Sequence, residues 1–176
     1  PSTHSYGDSF PWGSHPLLDH MWSTSYLKIV HDGAEVNRFQ KTILVSKSDF
    51  ALQKLNVCWV DKSKGINCGK CEKCLRTMIS LSILNKLESC RTFPDSINIK
   101  NIKLPDSSLN KPNVYSFTKS LAEELDKIPN IKSRKNLYEI RKLIFFKLKF
   151  FEIKKTTKTL LLKIKDFFIF VKNNSF

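Results

Sequence analysis

The rhythm of apolar and polar positions changes several times along the chain, and each change marks an element. Residues 1–24, rich in Ser, His, Gly, Pro and aromatic side chains, predict an ordered loop with short turns. Tyr26-Leu-Lys-Ile-Val30 is a short apolar, β-branched run closed by the turn signal His31-Asp-Gly33, and it reads as a strand. Glu35–Val45 and Asp49–Leu55 read as two short helices, with Ser48 as N-cap of the second. From Cys71 to about Leu87 a longer helix is expected, because Leu75, Met78, Ile79, Ile83 and Leu87 fall near one face. Phe93–Pro112 then holds three prolines among Asn, Asp and Ser, which predicts a linker. Val114–Ile128 predicts a helix broken by Pro129-Asn130. Ser133–Ile153 and Thr159–Val171 predict two more, with Phe and Leu interleaved with Lys. There is no internal repeat. The pattern divides the chain into a first part, residues 1–105, and a helical tail, residues 106–176.

Composition changes this picture mainly at the tail. The 176 residues are 41% hydrophobic, enough for a core. The formal charge is +14, and residues 133–176 carry twelve Lys/Arg against Glu139, Glu152 and Asp166, so most of the excess lies there. The first residue is Pro1 and no basic start leads into an apolar run, so no signal peptide is read. The chain is expected to be a fragment or processed product lacking its beginning. Five cysteines without a secretory signal point to a reducing cytoplasm, where clustered Cys bind metal more often than they pair.

Four of those cysteines are spaced Cys58-x9-Cys68-x2-Cys71-x2-Cys74. Zinc takes four soft ligands in a tetrahedron with Zn–S near 2.3 Å. Cys68-Gly-Lys-Cys71 supplies two from a tight turn in which Gly69 tolerates positive φ. Cys71 and Cys74 share one side of a helical turn. Lys70, Lys73 and Arg76 offset the charge of four thiolates. A full set of cysteines leaves no open position, so the site is expected to be structural. An iron–sulfur cluster is the nearest rival, but where the bacterial run places a fourth cysteine this chain has Met78, with no proline after it. The fifth cysteine, Cys90, reads as a small buried hydrophobe.

At these residues the sequence resembles a known family. Cys58-Trp59 followed by Asn67-Cys-Gly-Lys-Cys-Glu-Lys-Cys-Leu-Arg76 resembles the zinc-binding end of 7-cyano-7-deazaguanine synthase, of the queuosine pathway. Trp12-Gly-Ser-His-Pro-Leu-Leu-Asp19 and His31-Asp-Gly-Ala-Glu35 resemble phrases of its bacterial relatives. The resemblance covers roughly residues 1–94. It implies an α/β fragment: the C-terminal part of a pyrophosphatase-loop, adenine-nucleotide hydrolase-like domain, mostly helical with a short strand, carrying a four-cysteine zinc knuckle and a basic helical tail. It also implies an ATP-dependent ligase or amidotransferase-like parent that forms C–N bonds on a small-molecule substrate, with ATP and Mg as cofactors and a homo-oligomer allowed. The Ser-Gly-Gly-x-Asp-Ser loop with which the family holds ATP does not occur here, so this chain alone is expected to be inactive. The alternative is a stand-alone zinc module whose basic amphipathic tail binds nucleic acid or an anionic membrane surface.

Outside the cysteines, Ser14, His15 and Asp19 read either as part of a substrate or nucleotide pocket or as a capped turn with Pro16 at the first helical position. His31, Asp32 and Glu35 follow the expected strand, where ligands gather in open α/β sheets, and Asp-Gly is equally a turn former. Arg38 and Lys41 can hold phosphate or pair with Glu35, and read first as a solvated face. Arg76 can support the knuckle or reach toward a phosphate, and reads first as support. In the tail, Phe145-Phe146, Phe150-Phe151 and Phe167-Phe168 alternate with lysines, and no apolar run approaches a membrane span. That pattern reads first as a helical hairpin packing its Phe side on the main domain or a partner. It reads second as a helix pair on an anionic membrane surface, which would place a cytoplasmic protein at the membrane periphery, and third as a nucleic-acid contact.

Overall fold

The computed structural model describes residues 14–60, 65–102 and 109–174, with the side chains of the last helix described as far as Asp166. Of the expected N-terminal loop, residues 1–13, including Trp12, lie outside this range; so do residues 103–108 of the expected linker and the Phe167-Phe168 side chains. The described residues are mostly helical. The helices are α1 (Arg38–Val45), α2 (Asp49–Lys54), α3 (Glu72–Ile83), α4 (Pro112–Asp126) and α5 (Lys135–Asn174).

Caps decide where these helices start and stop. α1 begins at Arg38, three residues later than expected, because Asn37 and Gln40 form a reciprocal cap: Gln40 N donates to Asn37 Oδ1 at 2.9 Å and Asn37 N to Gln40 Oε1 at 2.8 Å. Ser48 caps α2 as read from sequence, accepting from Ala51 N. α3 ends at Ile83, four residues before the expected Leu87. Asn85 adopts a left-handed φ of 56°, and the Lys86 and Asn85 amides return to the carbonyls of Leu81 and Ser82. Arg134 seals that end by donating to the carbonyls of Ser82 and Ile83 and to Asn85 Oδ1. A cation is favoured there by the negative end of the helix dipole.

Two expectations are corrected. No strand occurs among the described residues: Tyr26–Val30 has no regular structure, and Tyr26 is 99% exposed. An extended apolar run needs a neighbouring strand to take up its backbone groups, and none among the described residues lies beside it. The two tail helices are one. Nothing between Ile153 and Thr159 breaks a helix, and Thr156, Thr157 and Thr159 each turn their hydroxyl back onto the carbonyl four residues earlier. The expected hairpin is therefore absent.

α4 and α5 run antiparallel. Tyr115 Oη donates to Glu152 at 2.5 Å at one end, and Arg141 binds Asp126 with two nitrogens at the other. The contact to Glu152, aided by burial, raises the Tyr115 hydroxyl to about 12. On α5, Leu137, Ile140, Ile144, Leu148 and Phe151 form one buried stripe against α4 and α3. The expected linker is packed rather than free: Phe93, Ile97 and Ile102 join the same core as Met78, Leu121 and Ile140. That core runs across the 105/106 boundary. After Phe151 every residue through Asp166 is exposed.

Candidate metal centre

The metal centre is assembled by three segments held together by one amide. Asn67 is 1% exposed and uses every polar side-chain atom. Its Oδ1 accepts from Val57 N at 2.9 Å and Cys58 N at 3.1 Å, which fixes the segment carrying the first cysteine. Its Nδ2 donates to Leu55 O at 2.8 Å and Thr92 Oγ1 at 3.1 Å, and its backbone N–H donates to Thr92 O. Thr92 Oγ1 donates to Leu55 O at 2.6 Å and closes the ring. The sequence reading quoted Asn67 within a longer phrase and gave it no role. The signal available was a polar residue set directly before the knuckle.

The knuckle itself turns at Gly69, whose φ is +65°. A Cβ at that position would lie 2.7 Å from Pro94 Cγ, so conformation and space both require glycine. The turn aims the amides of Lys70 and Cys71 at Cys68 Sγ, at 3.5 and 3.3 Å. Cys71 stands at the N-cap of α3 and Cys74 one turn inside it.

The sulfurs of Cys58, Cys68, Cys71 and Cys74 all lie within 4.8 Å of one another, with Cys68 and Cys74 at 3.8 Å. Four ligands at about 2.3 Å from one ion in a tetrahedron stand about 3.8 Å apart. The arrangement thus fits a single metal ion such as zinc. Burial pushes the Cys74 thiol far above its ordinary value, and hydrogen bonding with Cys71 adds to this. Thiolates in such a place need a cation to exist, and a bound cation reverses that electrostatic balance. Trp59 lies under Lys73 Nζ at 3.1 Å from the ring centre, placing one cation beside the cluster. Cys90 stands apart from the four, buried among apolar side chains.

The other expected site residues fall into two groups. Asp19 gathers the first: Ser14 Oγ donates to its Oδ2 at 2.8 Å, His15 N donates to its Oδ1 at 2.6 Å, and His31 Nδ1 lies 2.6 Å from Oδ2. These contacts, His31 first, then the His15 amide and Ser14, lower the Asp19 carboxyl to about 2. The other ring nitrogen of His31, Nε2, is buried without a hydrogen-bond partner among the described residues. Asp19 also opens a 3-10 turn, Asp19–Trp22, which starts three residues after Pro16 and has no side-chain cap.

The second group lines a cleft of about 110 Å³ between α1, α3 and α4: Arg38, Lys41, Arg76 and Phe117, with Thr42 and Thr77 beside them. Asp32 and Glu35 are close enough to act on the Lys41 ammonium, which burial and then Arg38 lower and these carboxylates partly restore. Arg38 is half-buried rather than on a solvated face, and burial, then the Arg76 charge, lower its pKa from the ordinary value. Arg76 makes no hydrogen bond to the knuckle among the described residues. Its Nη1 meets Glu72 at 3.3 Å and its guanidinium lies 5.2 Å over Phe117. The cleft's lining includes neither Asp19 nor His31.

No helix among the described residues is long and apolar enough to cross a membrane. In comparisons with protein-family models, curated proteins and solved structures, nothing matches this chain.

Proposed function

We propose that this chain is the zinc-bearing C-terminal part of an ATP-dependent ligase- or amidotransferase-like protein of the 7-cyano-7-deazaguanine synthase-like class. Cys58, Cys68, Cys71 and Cys74 hold a structural zinc, and the chain alone lacks the loop that binds ATP with Mg. The convergence of the four sulfurs within 4.8 Å carries the reading, because it makes the cysteine spacing a single ligand set. A second support is the amount of apolar surface without cover between residues 17 and 66: Leu17, Met21, Trp22, Val30, Phe50 and Val60 are each at least 66% exposed. Uncovered area on this scale marks a surface for another layer, and the strands of an α/β domain supply one.

Purified protein is expected to be colourless and to contain zinc near one equivalent. Cys71→Ser should release it and unfold residues 58–83, because structural zinc contributes on the order of 10 kcal/mol in metal-folded units. A brown preparation absorbing in the visible overturns zinc in favour of iron–sulfur. The ligase part is read from the gene: a Ser-Gly-Gly-x-Asp-Ser loop encoded about 150 residues upstream, the size of one α/β domain, supports it. A start codon directly before Pro1 replaces it with a free-standing zinc module.

One observation favours a role for the tail. Ile153, Leu160, Leu161 and Ile164 are exposed on the same stretch of α5 as Lys154, Lys155, Lys158, Lys163 and Lys165. This half of α5 suits an anionic membrane surface, where lysine stems snorkel past buried apolar groups. Flotation with vesicles containing phosphatidylserine should carry the protein upward, and vesicles of phosphatidylcholine alone should not. Equal flotation with both, or none with either, ends the membrane reading.

A further inference from the structure

We propose that the cleft between α1, α3 and α4 is an oxyanion site, in which Arg38 and Arg76 clamp a phosphate-type group beside the Lys41 side chain. The inference stands on the cleft and does not depend on the chain being part of a ligase. Its lining carries three cationic side chains and no carboxylate. Glu72 meets only Nη1 of Arg76 and its own side chain is 52% exposed, while Asp32 and Glu35 act on Lys41 from outside the lining. Arg38 has no salt bridge among the described residues, and the one charge that acts appreciably on it is another guanidinium. The Nε atoms of both Arg38 and Arg76 are buried without a hydrogen-bond acceptor among the described residues. A buried guanidinium nitrogen left unpaired is costly, and both of these guanidinium side chains line the same cleft.

The cysteine cluster does not provide it. No cysteine sulfur accepts a hydrogen bond from Arg38 or Arg76 among the described residues. Nor are the hydroxyls in the lining available as competing donors. Thr42, Thr77 and Ser80 give their protons to the carbonyls of Arg38, Lys73 and Arg76 in their own helices. The Arg38 and Arg76 guanidiniums are the donors that face a ligand, which selects an anion over a neutral polar group. Guanidinium forks match the paired oxygens of phosphate, and Lys41 adds a point charge. Phe117 holds the Arg76 plane from below, and Val45, Leu55 and Val57 supply apolar walls that lower the local dielectric. At about 110 Å³ the cleft has room for roughly three or four waters' worth of ligand. That suits one tetrahedral group, either free or as the end of a larger molecule lying outside.

The test uses the full chain loaded with zinc and titrated calorimetrically with inorganic phosphate, pyrophosphate, acetate and chloride at constant ionic strength. Saturable binding of phosphate or pyrophosphate, with acetate and chloride silent, is the expected result. Arg38→Gln should weaken it by at least about tenfold, the loss of one charge-assisted contact, and Arg38→Lys by less. Lys119→Gln, on an exposed position of α4, should leave it unchanged. Arg38→Gln is also expected to keep its zinc and to melt no lower than the parent in phosphate-free buffer, since it removes an unpaired buried charge. A parent that responds to all four anions alike overturns the site, because it shows only screening. Undiminished phosphate binding by both Arg38 variants overturns it too.

Discussion

At the scale of single residues, Asn67 does more for the metal centre than any side chain that is not itself a ligand. Its amide holds the Cys58 segment against the knuckle and ties both to Thr92, so three backbone groups and the Thr92 hydroxyl depend on it. Replacing it with Asp keeps the shape and the acceptor but removes both side-chain donors and adds a buried charge. Asn67→Asp should therefore cost about 3 kcal/mol or more, read as a lower denaturation midpoint, with zinc lost at lower chelator concentration. An unchanged midpoint would mean the ring of hydrogen bonds is not what brings Cys58 to the other three sulfurs. The cysteines were legible from sequence because three of them sit within two turns of chain, where spacing alone fixes geometry. Asn67 was not, because an Asn in a turn and an Asn at the centre of a buried network look alike until the distant partner, Thr92, is known. That Arg38 and Arg76 form a pair was hidden for the same reason. They lie 38 residues apart, and only the packing of α1 on α3 makes them neighbours.

At the scale of elements, the helices themselves were readable and their ends less so. Ser48 announced α2 because an N-cap serine before Asp acts locally. The Asn37–Gln40 pair is equally local and shortens α1, while periodicity alone extended it back to Glu35. Leu87 continued the apolar period of α3, yet it reaches the core from a loop after the chain has turned at Asn85. Periodicity reports which face is buried and says nothing about whether the backbone between two buried positions stays helical. The opposite error occurred in the tail, where a polar stretch around Thr156 suggested a break. Polarity without Gly or Pro does not end a helix. The expected strand failed for a different reason. A strand is defined by its neighbour, and Tyr26–Val30 has none among the described residues.

For the whole molecule, the question is how far the folded unit extends along α5. Its buried stripe ends at Phe151, and Glu152 makes a contact to α4 through Tyr115 one residue later. Residues 153–174 continue as helix for about 33 Å at 1.5 Å per residue, and those described as far as Asp166 are all exposed. Truncation after Glu152 should therefore leave zinc content unchanged and shift stability by no more than about 0.5 kcal/mol, as for other surface changes. Far-UV helical signal should fall by the part these residues contribute. Truncation after Leu143 also deletes Ile144, Leu148 and Phe151, each on its own worth about 2–5 kcal/mol in a core, and should abolish the cooperative transition. The contrast separates a projecting arm from a structural strut. If the shorter deletion behaved like the longer one, residues 153–174 would have to bury their leucines against a second copy of the chain. The melting temperature of the parent would then rise with protein concentration, whereas an arm that projects into solution leaves it constant and keeps its apolar face for a partner outside the chain.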